Sequence, residues 1–321
     1  MKKWYSFLLL LLMSVGILAG CGEEQAPVQE NQAGEQVDQK DAQAFPVTIT
    51  DALDKEVVIE EKPEKIVSLI PSNTEIAFAL GLGEEIVGVS DHDNYPEEVN
   101  DKEKIGGMEM NVEKIISLAP DLVLAHASSA HNSSDGLQQL RDSGIAVVVV
   151  NDATSFNDVY GSIEMIGQAT GEQDNAEKII DDMKAKIAEI EEKTAGVTEQ
   201  KSVIVEVSPA PDLYVVGKNT FMDEMLTLIH AKNGVGDQEG WLNLDQESYI
   251  ERNPDVIITT YGYYTEGAVD SVLAREGWQN VSAVKNKQVI DVHSDLVTRS
   301  GPRLADGLEE LAKAVYPEVF K

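Results

Sequence analysis

Short apolar runs that recur along the chain, separated by segments of helical period, constrain it more than any other feature. The runs are IVSLI at 66–70, IVGV at 86–89, LVLA at 122–125 and AVVVV at 146–150, then VIVEV at 203–207, VIITT at 256–260 and VIDV at 289–292. Each has the length of a strand and is rich in β-branched residues, so the alternation predicts an α/β chain. Between the two groups, from Glu172 to Ala195, Ile180, Met183, Ile187 and Ile190 repeat at spacings of three and four. That period predicts one helix of roughly 35 Å at 1.5 Å per residue, a strut that limits the relative motion of the halves it joins.

The halves echo one another. Asn73-Thr74 reaches Gly88-Val89 fifteen residues on, and Asn219-Thr220 reaches Gly234-Val235 over the same interval. Further along, Glu113 and Glu247 each stand seven residues before a Pro-Asp pair, Pro120-Asp121 and Pro254-Asp255, which opens a strand. The prolines help to end the short helices that carry the glutamates. Two matches in the same order, with equal internal spacing, predict a duplicated lobe whose glutamates project from equivalent places. One on each lobe, the two carboxylates suit a pair of basic pockets on a symmetric partner; two charged helix ends are the plainer reading.

The start of the chain reads as an export signal. Lys2 and Lys3 precede an apolar run from about Phe7 to Leu18, followed by Leu18-Ala19-Gly20-Cys21. The run is short for a bilayer span, which needs roughly 20 apolar residues, and it has the charged start and small-residue end of a cleaved signal. Cys21 is the only cysteine in the chain, so it is the acyl (palmitate) acceptor and no internal disulfide forms. The expected division is a signal peptide over 1–20, a lipidated, disordered tether over 21–45, an N-terminal α/β lobe over 46–170, a linking helix over 171–196 and a C-terminal α/β lobe over 197–321. The tether follows from a Glu-, Gln- and Asp-rich stretch with too few bulky apolar side chains to fold. The expected location is the outer face of the cell membrane. A net charge of −32 excludes nucleic acid as a partner, because phosphate binding needs clustered Lys and Arg.

In parallel sheets, ligands gather at the carboxyl ends of strands. Those ends hold Ser72 and Asn73, His92, His126, Asp152, Ser208, Tyr261 with Tyr263 and Tyr264, and Asp295 with Arg299. The chain has no nucleophile elbow, Walker loop, HEXXH or glycine fingerprint, which argues against an enzyme. His92 and His126 can bind a metal or an axial position of a metal chelate, or stand as ordinary loop histidines. Trp241 lies in a Gly- and Asp-rich segment with no obvious face to bury, so it plugs the second core or lies against a flat solute. Arg299 pairs with Asp295 at the surface or donates to oxygens of a solute.

These residues resemble a known family. SLIPSNTE at 68–75, GVSDHDNYP at 88–96, MNVE at 110–113 through Pro120-Asp121, the segment 241–247, and Ser294-Asp295 through Arg299 to Arg303 are similar to the substrate-binding proteins of ABC importers for cobalamin and ferric siderophores, the cobalamin-binding branch above all. The similarity covers 47–316. It implies two Rossmann-like lobes joined by one long rigid helix, the class III periplasmic-binding-protein fold, in a monomeric receptor with no cofactor of its own. It further implies a corrinoid or iron chelate clamped between the lobes, with Glu113 and Glu247 docking on the permease dimer that works with its ATPase. Ser72, Asn73, His92, His126, Trp241, Tyr261, Asp295 and Arg299 are the candidate solute contacts. Of these, Trp241, Asp295 and Arg299 match cobalamin-contacting positions of the branch, while His92 and His126 stand where the branch has a tyrosine and a tryptophan. A ferric-siderophore or haem receptor is the alternative within the family. A receptor for a transition-metal ion and a surface lipoprotein without a solute are the alternatives outside it.

Overall fold

A run such as Ala146–Val150, with no polar residue to turn toward water, can only be an inner strand covered on both faces. The computed structural model of the protein, which describes residues 45–320, places it so: Val147 to Val150 are buried, and the strand pairs in parallel with Leu122–His126. The export run, Cys21 and the tether up to residue 44 lie outside the described residues.

The first lobe carries a five-stranded parallel sheet in the order Glu103–Lys104, Ile86–Val89, Ile66–Ser68, Leu122–His126, Ala146–Val150. A hairpin of Val47–Thr50 and Glu56–Ile59 packs beside it. The second lobe carries Trp241–Asn243, Tyr214–Val216, Ser202–Glu206, Val256–Thr259 and Val289–Asp291 in that order, with Lys232–Asn233 also paired to Ser202–Glu206. Its central strands are parallel, and Tyr214–Val216 runs against both neighbours. Between the lobes in sequence stands the helix Gln173–Thr194, 22 residues long. Ile180, Met183, Ile187 and Ile190 are buried in one apolar cluster that contains core residues of both lobes, such as Ile66 and Val203. Each such side chain contributes about 1.5–3 kcal/mol when fully buried, so the stripe resists separation of the halves along its length. The turn into this helix needs Gly171, whose φ of 75° ends the preceding helix Phe156–Thr170.

The duplicated motif is a repeated piece of structure. Asn111 caps the helix Val112–Leu118 by accepting from Lys114 N at 2.9 Å, and Asp245 caps Gln246–Arg252 by accepting from Ser248 N at 2.9 Å. Both helices have seven residues and end on a left-handed residue, Ala119 and Asn253. The aspartate after each proline then receives the neighbouring strand: Asp121 accepts from Glu64 N and Lys65 N, and Asp255 from Ser202 N, all at 2.9 Å. The other echo is looser. Thr220 caps the helix Phe221–Leu228, whereas Asn73 and Thr74 lie inside Pro71–Ala79, which starts earlier because Pro71 is well suited to a first helical turn.

Candidate functional site

Crossovers from Ile66–Ser68 and from Leu122–His126 leave in opposite directions, toward Ile86–Val89 and Ala146–Val150 respectively. A crevice therefore opens between their carboxyl ends. It forms a cleft of about 410 Å³. The first lobe contributes Ile70 to Ser72, His126, Ser128 and Asp152 to Thr154, and the second contributes Asn219 to Phe221, Gly240, Trp241 and Thr298 to Ser300. Ser72, His126, Trp241 and Arg299 are thus brought to one cavity.

His126 is 4% exposed, and its Nδ1 lies 2.8 Å from Ser128 Oγ and 3.3 Å from Ser128 N. Burial lowers its pKa, with the nearby Asp152 charge opposing, so the ring is neutral at neutral pH. No protein group among the described residues hydrogen-bonds Nε2. Nδ1 accepts from Ser128 N, which favours the tautomer with the proton on Nε2, a donor; moving that proton to Nδ1, where Ser128 Oγ can accept it, exposes a lone pair on Nε2 at the cost of the Ser128 N bond. On the second lobe, Trp241 begins an edge strand, remains 46% exposed and meets Phe221 edge to face at 6.1 Å. Its large ring is therefore neither core nor fully solvated.

Other candidates sit elsewhere. Asn73 is buried, and its amide donates to Ala125 O at 2.9 Å, which ties helix Pro71–Ala79 to the strand beneath it instead of facing the cleft. Tyr261 is also buried and donates to Glu206 Oε2 at 2.8 Å. Glu206 is held in turn by both terminal nitrogens of Arg275, at 2.7 and 2.8 Å. This network lies at the carboxyl ends of Ser202–Glu206 and Val256–Thr259, inside the second lobe. His92 is exposed and is not part of the cleft wall; its ring rests over Gly107, with Nε2 3.1 Å from where a Cβ would stand. Among the described residues no group of three or more His, Cys, Asp or Glu can hold a metal ion.

Asp295 and Arg299 belong to a charged clasp between the lobes. Arg299 Nη1 donates to Glu75 Oε1 at 2.8 Å and to Asn94 Oδ1 at 2.7 Å, and its Nη2 stands 3.1 Å from Asp295 Oδ1. Arg303 binds both oxygens of Glu75, at 2.8 and 2.6 Å, and lies 3.8 Å over the Tyr95 ring. Asn94 also donates to Asp295 Oδ2 at 2.9 Å. A second tie joins the lobes where Glu224 Oε2 accepts from Phe156 N at 2.7 Å, a carboxylate whose pKa burial raises. Glu75, Asn94 and Arg303 are absent from the candidates drawn from sequence. The available signal was Glu75 itself, an acid in the otherwise uncharged helix Pro71–Ala79.

Glu113 and Glu247 are both exposed and occupy the same second position of their helices. There each carboxylate is favoured by the helix N-terminus and free to meet a partner.

The sequence pattern described as periplasmic binding protein matches residues 66–296. An uncharacterized ABC transporter substrate-binding lipoprotein of Bacillus subtilis is 50% identical over 329 residues, covering all of both chains. A vitamin B12-binding protein of Pectobacterium atrosepticum is 30% identical over 249 residues, 75% of this chain and 85% of that one. Among solved structures, a possible iron-binding (periplasmic solute-binding) protein of Staphylococcus epidermidis superposes with a TM-score of 0.73 at 39% identity, covering 80% of this chain and 100% of that one. Members of the family bind solutes for ABC transporters and are not enzymes. The chain belongs to the periplasmic binding protein family, as an ABC-transporter substrate-binding protein with the class III fold.

Proposed function

We propose that this protein is a lipid-anchored extracellular receptor that captures cobalamin or a related corrinoid and hands it to an ABC permease. The observation that carries the reading is the cleft itself, where the neutral imidazole of His126 on one lobe shares a cavity with the half-exposed ring of Trp241 on the other. A flat macrocycle with a metal at its centre meets both: aromatic contact over its face and a nitrogen for its axial position. Relatives described as vitamin B12-binding support the choice of ring. A haem or ferric siderophore is the second reading, favoured by His126 and by likeness to a structure described as possible iron-binding. Titrating the full chain with cyanocobalamin, aquocobinamide, haemin and ferric siderophores, and following protein fluorescence, separates them. The first reading expects saturable corrinoid binding at micromolar concentration or tighter; tight binding of an iron chelate with none of a corrinoid would overturn it.

Acylation of Cys21 tethers the receptor at the outer face of the membrane, and Glu113 and Glu247 meet basic pockets of the permease dimer, one from each lobe. Replacing both glutamates by alanine is expected to reduce uptake of labelled solute by cells at least tenfold and to leave solute affinity unchanged, since neither lines the cleft. Lost affinity in the purified double variant would move them into the binding site.

A further inference from the structure

Among the described residues, only two side chains that line the cleft carry a formal charge, Asp152 and Arg299. The arginine is already compensated. Glu75 lies 2.8 Å from it and Asp295 3.1 Å, while Arg303 shares Glu75 at 2.6 Å. Two acids and two bases cancel within that cluster, and both terminal nitrogens of Arg299 are engaged in it. Glu75 is 2% exposed as a side chain, so the pairing is sheltered from the solvent that would otherwise loosen it. Asp152, by contrast, is exposed and has no ion-pair partner among the described residues. With His126 neutral, the cleft retains one negative charge, in a chain whose net charge over its whole sequence is −32.

We infer that the cleft selects a metal chelate without net negative charge, one whose periphery presents amides and not carboxylates. The inference rests on the reading that this cleft takes a metal chelate, and adds to it the sign of charge that is admitted. An approaching carboxylate finds no uncommitted cation and meets the field of Asp152 and of an acidic surface. A neutral or cationic chelate meets neither obstacle. Amide groups find suitable partners in Ser72, Asn219 and Ser300, whose side chains line the cleft and make no hydrogen bond among the described residues. Arg299 accordingly acts as a positioning residue of the clasp: it holds the two walls in register and screens Glu75 from the solute.

The test uses one ring in two charge states. The full chain in detergent micelles, blanked against empty micelles, is titrated with aquocyanocobinamide and with aquocyanocobyrinic acid, in which carboxylates replace the peripheral amides and an exchangeable water leaves one axial position open to His126. The amide form is expected to bind at least tenfold more tightly at low ionic strength, and the gap to shrink as salt is raised. Asp152→Asn, a change at an exposed side chain, is expected to narrow the gap by about fivefold, as loss of one nearby solvent-facing charge predicts. Glu75→Gln should narrow it as well, by leaving a positive charge uncompensated beside the cleft. Equal or tighter binding of the carboxylate form overturns the inference, as does a gap that Asp152→Asn leaves unchanged. If neither form binds, the corrinoid reading falls and this inference with it; if both bind equally, only the inference falls.

Discussion

Glu206→Ala is expected to destabilise the protein by about 3–5 kcal/mol, the usual result of leaving a buried charge without its partner. The glutamate is completely buried, and it is the acceptor for three donors: two guanidinium nitrogens of Arg275 and the Tyr261 hydroxyl. Removing it strands Arg275, whose guanidinium is already packed 4.6 Å over Trp278 and has little room to reach water. It also leaves the Tyr261 hydroxyl without an acceptor, in a place where burial pushes the phenol's pKa far above its ordinary value. At about 2–4 °C per kcal/mol for a body of this size, thermal unfolding followed by circular dichroism should shift down by roughly 10 °C. A shift within 2 °C would mean that Arg275 escapes to solvent and that the network contributes little.

Trp241→Ala acts on binding instead of stability. The ring is 46% exposed and packs on Phe221 alone among the aromatics, so its loss should leave the melting temperature within a few degrees. Affinity for a flat solute should fall about a hundredfold, since a large aromatic anchor at the centre of a contact is worth about 2–4 kcal/mol. Most of the fluorescence quenching on binding should be lost with it, leaving the share that reaches Trp278 in the second lobe's core by energy transfer. Wild-type affinity in the variant would show that the solute does not reach this wall.

What could be read in advance was whatever the local pattern determines. The strand at Ala146–Val150 and the helix Gln173–Thr194 follow from runs and periods that admit one solution each. The repeated Glu-to-Pro-Asp spacing pointed to two matching helix ends because caps and left-handed termini are set by a few neighbouring residues. Strands Tyr214–Val216 and Trp241–Asn243 were not anticipated: three residues each, they owe their conformation to pairing with one another and not to their own preference. The same limit applies to the site. Ser72, His126, Trp241 and Arg299 follow strand ends or family motifs, and the fold gathers them. Asn73 and Tyr261 follow the same rule yet face inward, because their hydrogen-bond partners, Ala125 O and Glu206, lie on strands distant in sequence. Of the clasp only the local pair of Asp295 and Arg299 could be read, since Glu75 and Arg303 stand 228 residues apart.

That clasp also bears on how cargo would be announced. Halves already stitched by a buried cluster and by a helix with its stripe in both cores have no wide gape to close when a solute arrives. The distance between Glu113 and Glu247 then stays nearly constant whether the receptor is full or empty. An importer gripping those two points would feel the same shape in either case, so empty receptors would compete with loaded ones for its outer face. Release would then fall to the importer, which would have to part Glu75 from Arg299 and Arg303 to open the walls of the cleft.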